Sequence, residues 1–250
     1  MRIGPFCTAL VLGTTSCAPN SAPETPLPPS SIVVGSGGWN RSASYLYRVD
    51  DGVIVIDLGW WGARSALERG LRALGATPDD VVAVFLTHTH RDHLGAWRLV
   101  RAAPFNLAAD EAPLLLGEAH HGGLVPGWTD RILPTDLPGR DDVDVRSFGD
   151  DTAFVFGGDT LRAFLVPGHT RGSVAYLFRG RLHVGDAVAH TTLAGYRPAL
   201  EVYSADMDDA RRSVAWLRDR VEPYAVESVC TAHAKCSLAT DAFWNDLLED

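Results

Sequence analysis

Lysine is almost missing from this 250-residue chain: Lys235 is the sole one, and the other basic side chains are arginines scattered along the sequence. With 22 basic residues against 31 acidic ones the formal charge is −9. No stretch concentrates the cations that neutralising a phosphate backbone needs, which argues against a nucleic-acid partner. The apolar run from Ile3 to Gly13 is too short to cross a bilayer as a stable helix. A GxSxG pattern is absent, so nothing points to a serine nucleophile on a strand-to-helix elbow. Tandem repeats are absent as well. What is there is a chain with 46% hydrophobic residues, long enough to bury a full core.

The first thirty residues differ from the rest. Met1-Arg2, the apolar run and the small residues Thr14-Thr-Ser16 follow the charged, apolar and small-residue order of an export signal over 1–16. Residues 17–31 read as a Pro-rich linker that cannot pack a core, which leaves 32–250 as the folded domain. The order resembles a bacterial lipoprotein precursor with Cys17 as the lipidated residue. That resemblance implies an exported protein, periplasmic or attached to the membrane through Cys17. Thr14 stands where such signals favour leucine, and an ordinary cleaved signal or an unprocessed tail are the alternatives.

From Ile32 onward short apolar runs alternate with helical patterns, which places the chain in the α/β class. Val53-Ile-Val-Ile56 and Val81-Val-Ala-Val-Phe-Leu86 read as buried strands. Ala66, Leu67, Leu71 and Leu74 mark a helix over 63–74 that Gly75 ends. Residues 95–100 also carry a helical pattern. In the second half, 161–166 reads as a strand and 174–184 as a hairpin around Arg179-Gly180. A helix is expected over 206–221, a last strand over 226–230 and a closing helix over 239–248. Residues 109–151 are rich in Pro and Gly and take no firm assignment.

The stretch Leu86-Thr-His-Thr-His-Arg-Asp-His-Leu-Gly95 crowds three imidazoles and a carboxylate into six positions on an expected strand-to-helix loop. His88 and His90 are two apart, so an extended segment puts them on one side. Asp92 and His93 follow at the turn. Imidazole with carboxylate suits zinc, with iron or manganese as other occupants. His169, Asp186 and His233 each come directly after an expected strand, so all of these side chains can gather at one sheet edge. A single histidine in a strand or loop is more often structural than catalytic, so His120, His121, His183 and His190 take no role.

Thr87-His-Thr-His-Arg-Asp-His93, Pro167-Gly-His-Thr-Arg-Gly-Ser173, Val184-Gly-Asp186, Thr231-Ala-His233 and Val55-Ile-Asp-Leu-Gly59 together resemble the metallo-β-lactamase-fold hydrolases, in particular their glyoxalase II and lactonase-like dinuclear branch. The resemblance implies an αββα sandwich of two mixed β-sheets flanked by helices, with metals at one sheet edge. It implies two zinc ions per chain, His88, His90 and His169 on the first and Asp92, His93 and His233 on the second. Asp186 would bridge them and Asp92 would orient the attacking water. Arg171, where many relatives carry proline, touches no ligand.

A dinuclear centre activates water as a hydroxide near neutral pH, so hydrolysis of a small molecule is the reaction class expected. The bridging Asp186 is typical of thioester, lactone and phosphodiester relatives, and β-lactamases of the fold generally lack it. A lactone, thioester or related carboxylic ester therefore ranks first, with a β-lactam as the alternative. A mononuclear iron sulfur dioxygenase and a non-catalytic binding domain are further alternatives. Trp60 and Trp61, directly after the Asp57 turn, offer an apolar wall for substrate, or pack under the neighbouring helix. Lys235 offers a partner for a substrate carboxylate, or a solvated surface charge. Cys230 and Cys236 flank His233 and, in an oxidising compartment, either pair to brace its loop or remain thiols.

Overall fold

β-Branched side chains pack well on a pleated surface covered on both faces, and the two runs richest in them become adjacent central strands. The structure is a computed structural model that describes residues 31–36, 42–133, 136–192 and 195–249. The expected leader, Cys17 and all of the Pro-rich linker except Ser31 lie outside the described residues.

The first sheet runs in the order β1 (Ser31–Ser36), β2 (Ser42–Val49), β3 (Gly52–Ile56), β4 (Val81–Phe85), β5 (Pro104–Ala108) and β6 (Asp144–Phe148). Pairing is antiparallel up to β3 and parallel from β3 to β6. The second sheet opens with β7 (Thr152–Phe156), β8 (Asp159–Leu165), β9 (Val174–Phe178) and β10 (Arg181–Gly185), all antiparallel neighbours. A detached hairpin, β11 (Val188–Thr191) and β12 (Gly195–Pro198), follows. The chain then returns as β13 (Ser228–Thr231), parallel to β10, and β14 (Ser237–Leu238) closes that edge. The hairpin expected at Arg179-Gly180 is present, with both residues at positive φ, the conformation a two-residue turn between twisted strands needs.

Three apolar layers hold these sheets together. Tyr45, Tyr47, Ile54, Ile56 and Phe85 of the first sheet meet Leu161, Val174, Tyr176 and Phe178 of the second in the central layer. The helix α1 (Ala63–Ala73) lays Ala63, Leu67 and Leu71 on the outer face of the first sheet. The short α2 (Ala112–Leu115) and α3 (Leu124–Ile132) fill the segment that the sequence left unassigned. On the outer face of the second sheet, α4 (Met207–Val221) contributes Val214, Leu217 and Val221, and α5 (Asp241–Leu248) contributes Phe243, Trp244 and Leu247. Each fully buried side chain of this size stabilises by roughly 1.5–3 kcal/mol. The result is two mixed sheets face to face with helices outside.

One expectation fails. Residues 95–100 form a single 3-10 turn, Trp97–Leu99, and no α-helix. The backbone N–H groups of Gly95 and Ala96 donate to the carbonyls of Gly59 and Leu58, so they are taken by the neighbouring turn. A side chain at Gly95 would stand 2.4 Å from the Trp60 carbonyl oxygen. This close approach, and not helical periodicity, is what Gly95 serves.

His183 on β10 is buried in the central layer, its Nε2 2.8 Å from the Tyr47 hydroxyl. Burial, then the nearby Arg181 charge, push its pKa down to about 3, so the folded protein holds it neutral. The unfolded chain binds a proton there below about 6.5. Stability from this group is therefore complete above that pH and is lost as pH falls toward the folded value, with a slope of at most about 1.4 kcal/mol per pH unit. His183→Gln is expected to flatten the decline of the urea midpoint between these limits. An unchanged slope in the variant would show that His183 is not a source of acid sensitivity.

Candidate metal centre

β8, β10 and β13 run in the same direction, and the ligands emerge where they end. β4 ends at Phe85 and feeds the stretch 86–93, in which His90 is extended and Arg91–His93 make a 3-10 turn. His169 lies in the connection from β8 to β9, Asp186 directly after β10, and His233 directly after β13. The seven side chains gather as two groups, His88 with His90 and His169, and Asp92 with His93, Asp186 and His233. Within each group the ligand atoms lie within 4.8 Å of one another.

In the first group the nitrogens themselves converge. His169 Nε2 is 3.2 Å from His88 Nε2 and 3.0 Å from His90 Nδ1. The tautomers follow from what lies behind each ring. Thr87 Oγ1 donates to Asp57, so His88 Nδ1–H donates to Thr87 Oγ1 and His88 Nε2 is left as a lone pair. Ser204 Oγ donates to the Leu200 carbonyl and accepts from His169 Nδ1–H, with the same outcome for His169. Burial first, then neighbouring imidazoles, push His88 and His90 well below the ordinary histidine range. Burial likewise takes His169 down to about 4.

The second group has the opposite electrostatics. His233 Nε2 lies 3.1 Å from Asp186 Oδ2 and 3.2 Å from Asp92 Oδ2. Burial works against the charge on His93, but the Asp57 carboxylate 3.0 Å from its Nδ1 outweighs burial and raises it to about 9. His233 is raised in the same sense, burial opposing and Asp186 prevailing. Asp92 is held below the usual carboxylate range, since the His233 hydrogen bond and nearby imidazoles overcome the cost of burial. Asp186 spans the groups, with Oδ2 3.8 Å from His169 Nε2 and Oδ1 3.8 Å from His93 Nε2.

These observations test whether metal ions fit. His88 and His169 turn buried Nε2 lone pairs toward each other at 3.2 Å, with His90 Nδ1 converging on the same point, and such lone pairs repel unless a cation or a proton lies among them. Beside them, two carboxylates create a negative potential that again calls for positive charge. His93 Nε2 is buried with no hydrogen-bond partner, as a ligand atom waiting for a cation would be. Imidazole and carboxylate donors of this number suit zinc, and also iron or manganese. The residues therefore fit one cation per group, with Asp186 within reach of both.

The frame around the ligands is equally specific. Asp57 closes β3 at positive φ, accepts from Thr87 N and Thr87 Oγ1 at 2.8 Å each, and turns His93 Nε2 toward Asp186. A side chain at Gly185 would lie 2.4 Å from Thr87 Oγ1, so only glycine allows β10 to approach this turn. Ala205 N and Asp206 N donate to the carbonyls of His169 and Gly168, which ties that loop to the start of α4. The His233 loop is clipped three ways: Ala43 N donates to Ala232 O, Tyr45 Oη donates to Thr231 O, and Cys230 and Cys236 form a disulfide. The pairing that the sequence left open is thus made.

Trp60 and Trp61 stack on each other with centroids 4.6 Å apart, Trp60 half-buried and Trp61 73% exposed. Lys235 is exposed within the disulfide-closed loop. Neither the tryptophans nor Lys235 belong to the ligand groups. Sequence reasoning missed Ser204 behind His169, and it missed Glu111 and His121 beside the His88–His90 segment. Nothing in the spacing of those residues marks them, because their partners lie 22 to 35 positions away.

A model of the family described as the metallo-beta-lactamase superfamily matches residues 37–226. A protein of Synechocystis sp. named hydroxyacylglutathione hydrolase is 30% identical over 72% of this chain and 62% of its own length. A Rhizobium etli protein of the same name is 29% identical over 79% and 70%. The chain thus spans about two thirds of the length of these relatives. Among solved structures, a metallo-beta-lactamase from Pontibacter korlensis superposes with a TM-score of 0.67 at 19% identity, covering 91% of this chain and 97% of that one. A subclass B3 metallo-beta-lactamase from a soil metagenome library gives 0.61 at 23%, covering 82% and 76%. At such identities the structures speak for the fold. The family model matches most of the chain, and with motif order, fold and ligand groups in agreement, this chain belongs to the metallo-beta-lactamase superfamily.

Proposed function

We propose that this protein is an exported, zinc-dependent hydrolase of a thioester, lactone or related carboxylic ester. The observation that carries the reading is Asp186, whose two oxygens reach both ligand groups. A carboxylate so placed supports a shared, dinuclear arrangement. The relatives' names point to hydroxyacylglutathione, an acyl thioester, as a substrate of the same chemical type.

Two bound zinc ions would supply an activated water and polarise the substrate carbonyl. The chain's own residues do the rest. His88, His90 and His169 would hold one ion and Asp92, His93 and His233 the other, with Asp186 between. Asp92, held ionised, faces the same space and can orient the attacking water through its second oxygen. Asp57 and Ser204 keep the two imidazoles behind which they stand in the tautomer that points inward. Trp61, exposed and stacked on Trp60, would offer an apolar wall to the acyl or ring group, and Lys235 a positive charge to an acidic one.

Export is proposed from the leader pattern, with Cys17 as a lipid attachment point. The Cys230–Cys236 disulfide supports an oxidising compartment.

The zinc-loaded protein is expected to release protons from thioesters or lactones and to lose at least about 100-fold in turnover in His90→Ala. Preference for β-lactams would replace the ester reading with that rival, and inactivity on all three classes would overturn it. Trp61→Ala should raise the Michaelis constant for long acyl substrates more than for short ones; equal effects would remove the wall. Thiol titration of the unfolded, unreduced full chain should find two thiols fewer than after reduction, and no difference would refute the disulfide. Mass spectrometry of membrane-fraction protein should show a diacylglyceryl-type increase on Cys17, and its absence would leave export without lipid attachment.

A further inference from the structure

Each inward-facing imidazole of the centre needs its ring held from behind. Thr87 does this for His88, Ser204 for His169 and Asp57 for His93. His90 differs from these three. Its Nδ1 faces His169, while its Nε2 is buried with no hydrogen-bond partner. Something other than a hydrogen bond to the ring must fix His90.

What surrounds it is a chain of polar groups that the proposed reaction does not use. Glu111 ends the 3-10 turn Ala109–Glu111 after β5 and is fully buried. Its Oε2 accepts from Thr89 N at 2.8 Å and from Thr89 Oγ1 at 2.5 Å. Its Oε1 accepts from Gly172 N at 3.2 Å. Thr89 lies between His88 and His90, and Gly172 lies in the loop of His169. One carboxylate thus grips the backbones of both loops that build the three-histidine group. A side chain at Gly172 would stand 2.7 Å from Glu111 Cγ, so the glycine permits the grip.

The chain continues outward. His121 Nε2 lies 3.1 Å from Thr89 Oγ1, and His121 Nδ1 lies 2.6 Å from Asp130 Oδ2, which also accepts from His121 N at 3.0 Å. Anchored at both ends, the His121 ring packs on His90 with centroids 4.5 Å apart. A buried carboxylate costs several kcal/mol unless N–H and O–H groups replace its lost water. The hydrogen bonds that make Glu111 tolerable are therefore the same ones that define the distance between the two loops.

We propose that Glu111, Thr89 and the His121–Asp130 pair are positioning residues for the three-histidine group, Glu111 setting the separation of its two loops and His121 setting the plane of the His90 ring. This rests on the metal-site reading above. In Glu111→Gln an amide N–H would face the donors Thr89 N or Gly172 N, so the grip fails with little change in volume. In Thr89→Val the link between Glu111 and His121 is cut; Thr89→Ser keeps it.

The test is metal binding, free of any substrate assumption. Zinc affinity is measured on the full chain by competition with a chromogenic chelator, in a His233→Ala background to report the three-histidine group and in a His169→Ala background to report the acidic group. Visible spectra of the cobalt-loaded forms report ligand geometry. Glu111→Gln and Thr89→Val are expected to weaken the three-histidine group by about 10 to 100-fold and to shift its cobalt bands, with a much smaller effect on the acidic group. Thr89→Ser should restore both readouts. Equal affinities and spectra in all variants would overturn the proposal, and so would equal losses at both groups, which mark a general loss of fold. Should circular dichroism show Glu111→Gln unfolded, the Thr89→Val and Thr89→Ser pair and His121→Ala decide by the same criteria. A parent protein that binds no metal would instead refute the metal-site reading itself.

Discussion

Three of the carboxylates in or beside the site, Asp57, Glu111 and Asp186, have been taken largely out of water, and each must be given hydrogen bonds or opposite charge in return. Asp57 receives them from Thr87 and His93, Glu111 from Thr89 and Gly172, Asp186 from His233. Every one of these partners is a ligand or lies within three residues of one. The loops that carry the histidines are consequently held by the needs of buried acids, and the strands beneath them deliver the chain to where those acids sit. Strip the acids and the sandwich would still have its apolar layers, but its edge would have no fixed form.

The two halves of the centre divide the electrostatic task. The three-histidine half is dry and neutral, its imidazoles kept unprotonated by burial. The other half is acidic: its two carboxylates are kept ionised and, with Asp57, raise the proton affinity of His93 and His233, so a cation bound there would take the place of those protons. Such an asymmetric pair would hold two ions in unlike surroundings, one richer in nitrogen donors and the other richer in oxygen donors. Asp186 is the only carboxylate of the ligand groups placed within 3.8 Å of an imidazole in each half.

Much of this was legible in the sequence because it is local. Runs such as Val53-Ile-Val-Ile56 declare buried strands, Arg179-Gly180 declares a turn, and ligands that directly follow strands declare a shared edge. Residues 95–100 misled because their apolar spacing reflects burial on several sides, while their backbone bonds run to Leu58 and Gly59. Residues 109–151 stayed unread since α2 and α3 are short and carry Pro and Gly inside or beside them. Glu111, His121 and Ser204 were silent for a different reason: a positioning role is a property of a contact, and a contact across 22 or more positions leaves no period to detect.

The strand directions have one more consequence. Since β3, β8 and β10 all end at the metal edge, the turns at which they begin, Asp50-Asp51, Gly157-Gly158 and Arg179-Gly180, all lie at the opposite pole. A side chain built at Gly158 meets no atom within 4 Å. That pole is therefore a natural handle: a fluorophore, a fused domain or a surface tether attached there would leave the mouth of the centre facing free solution, and the protein could be displayed, immobilised or linked into larger assemblies from the side that has no part in its chemistry.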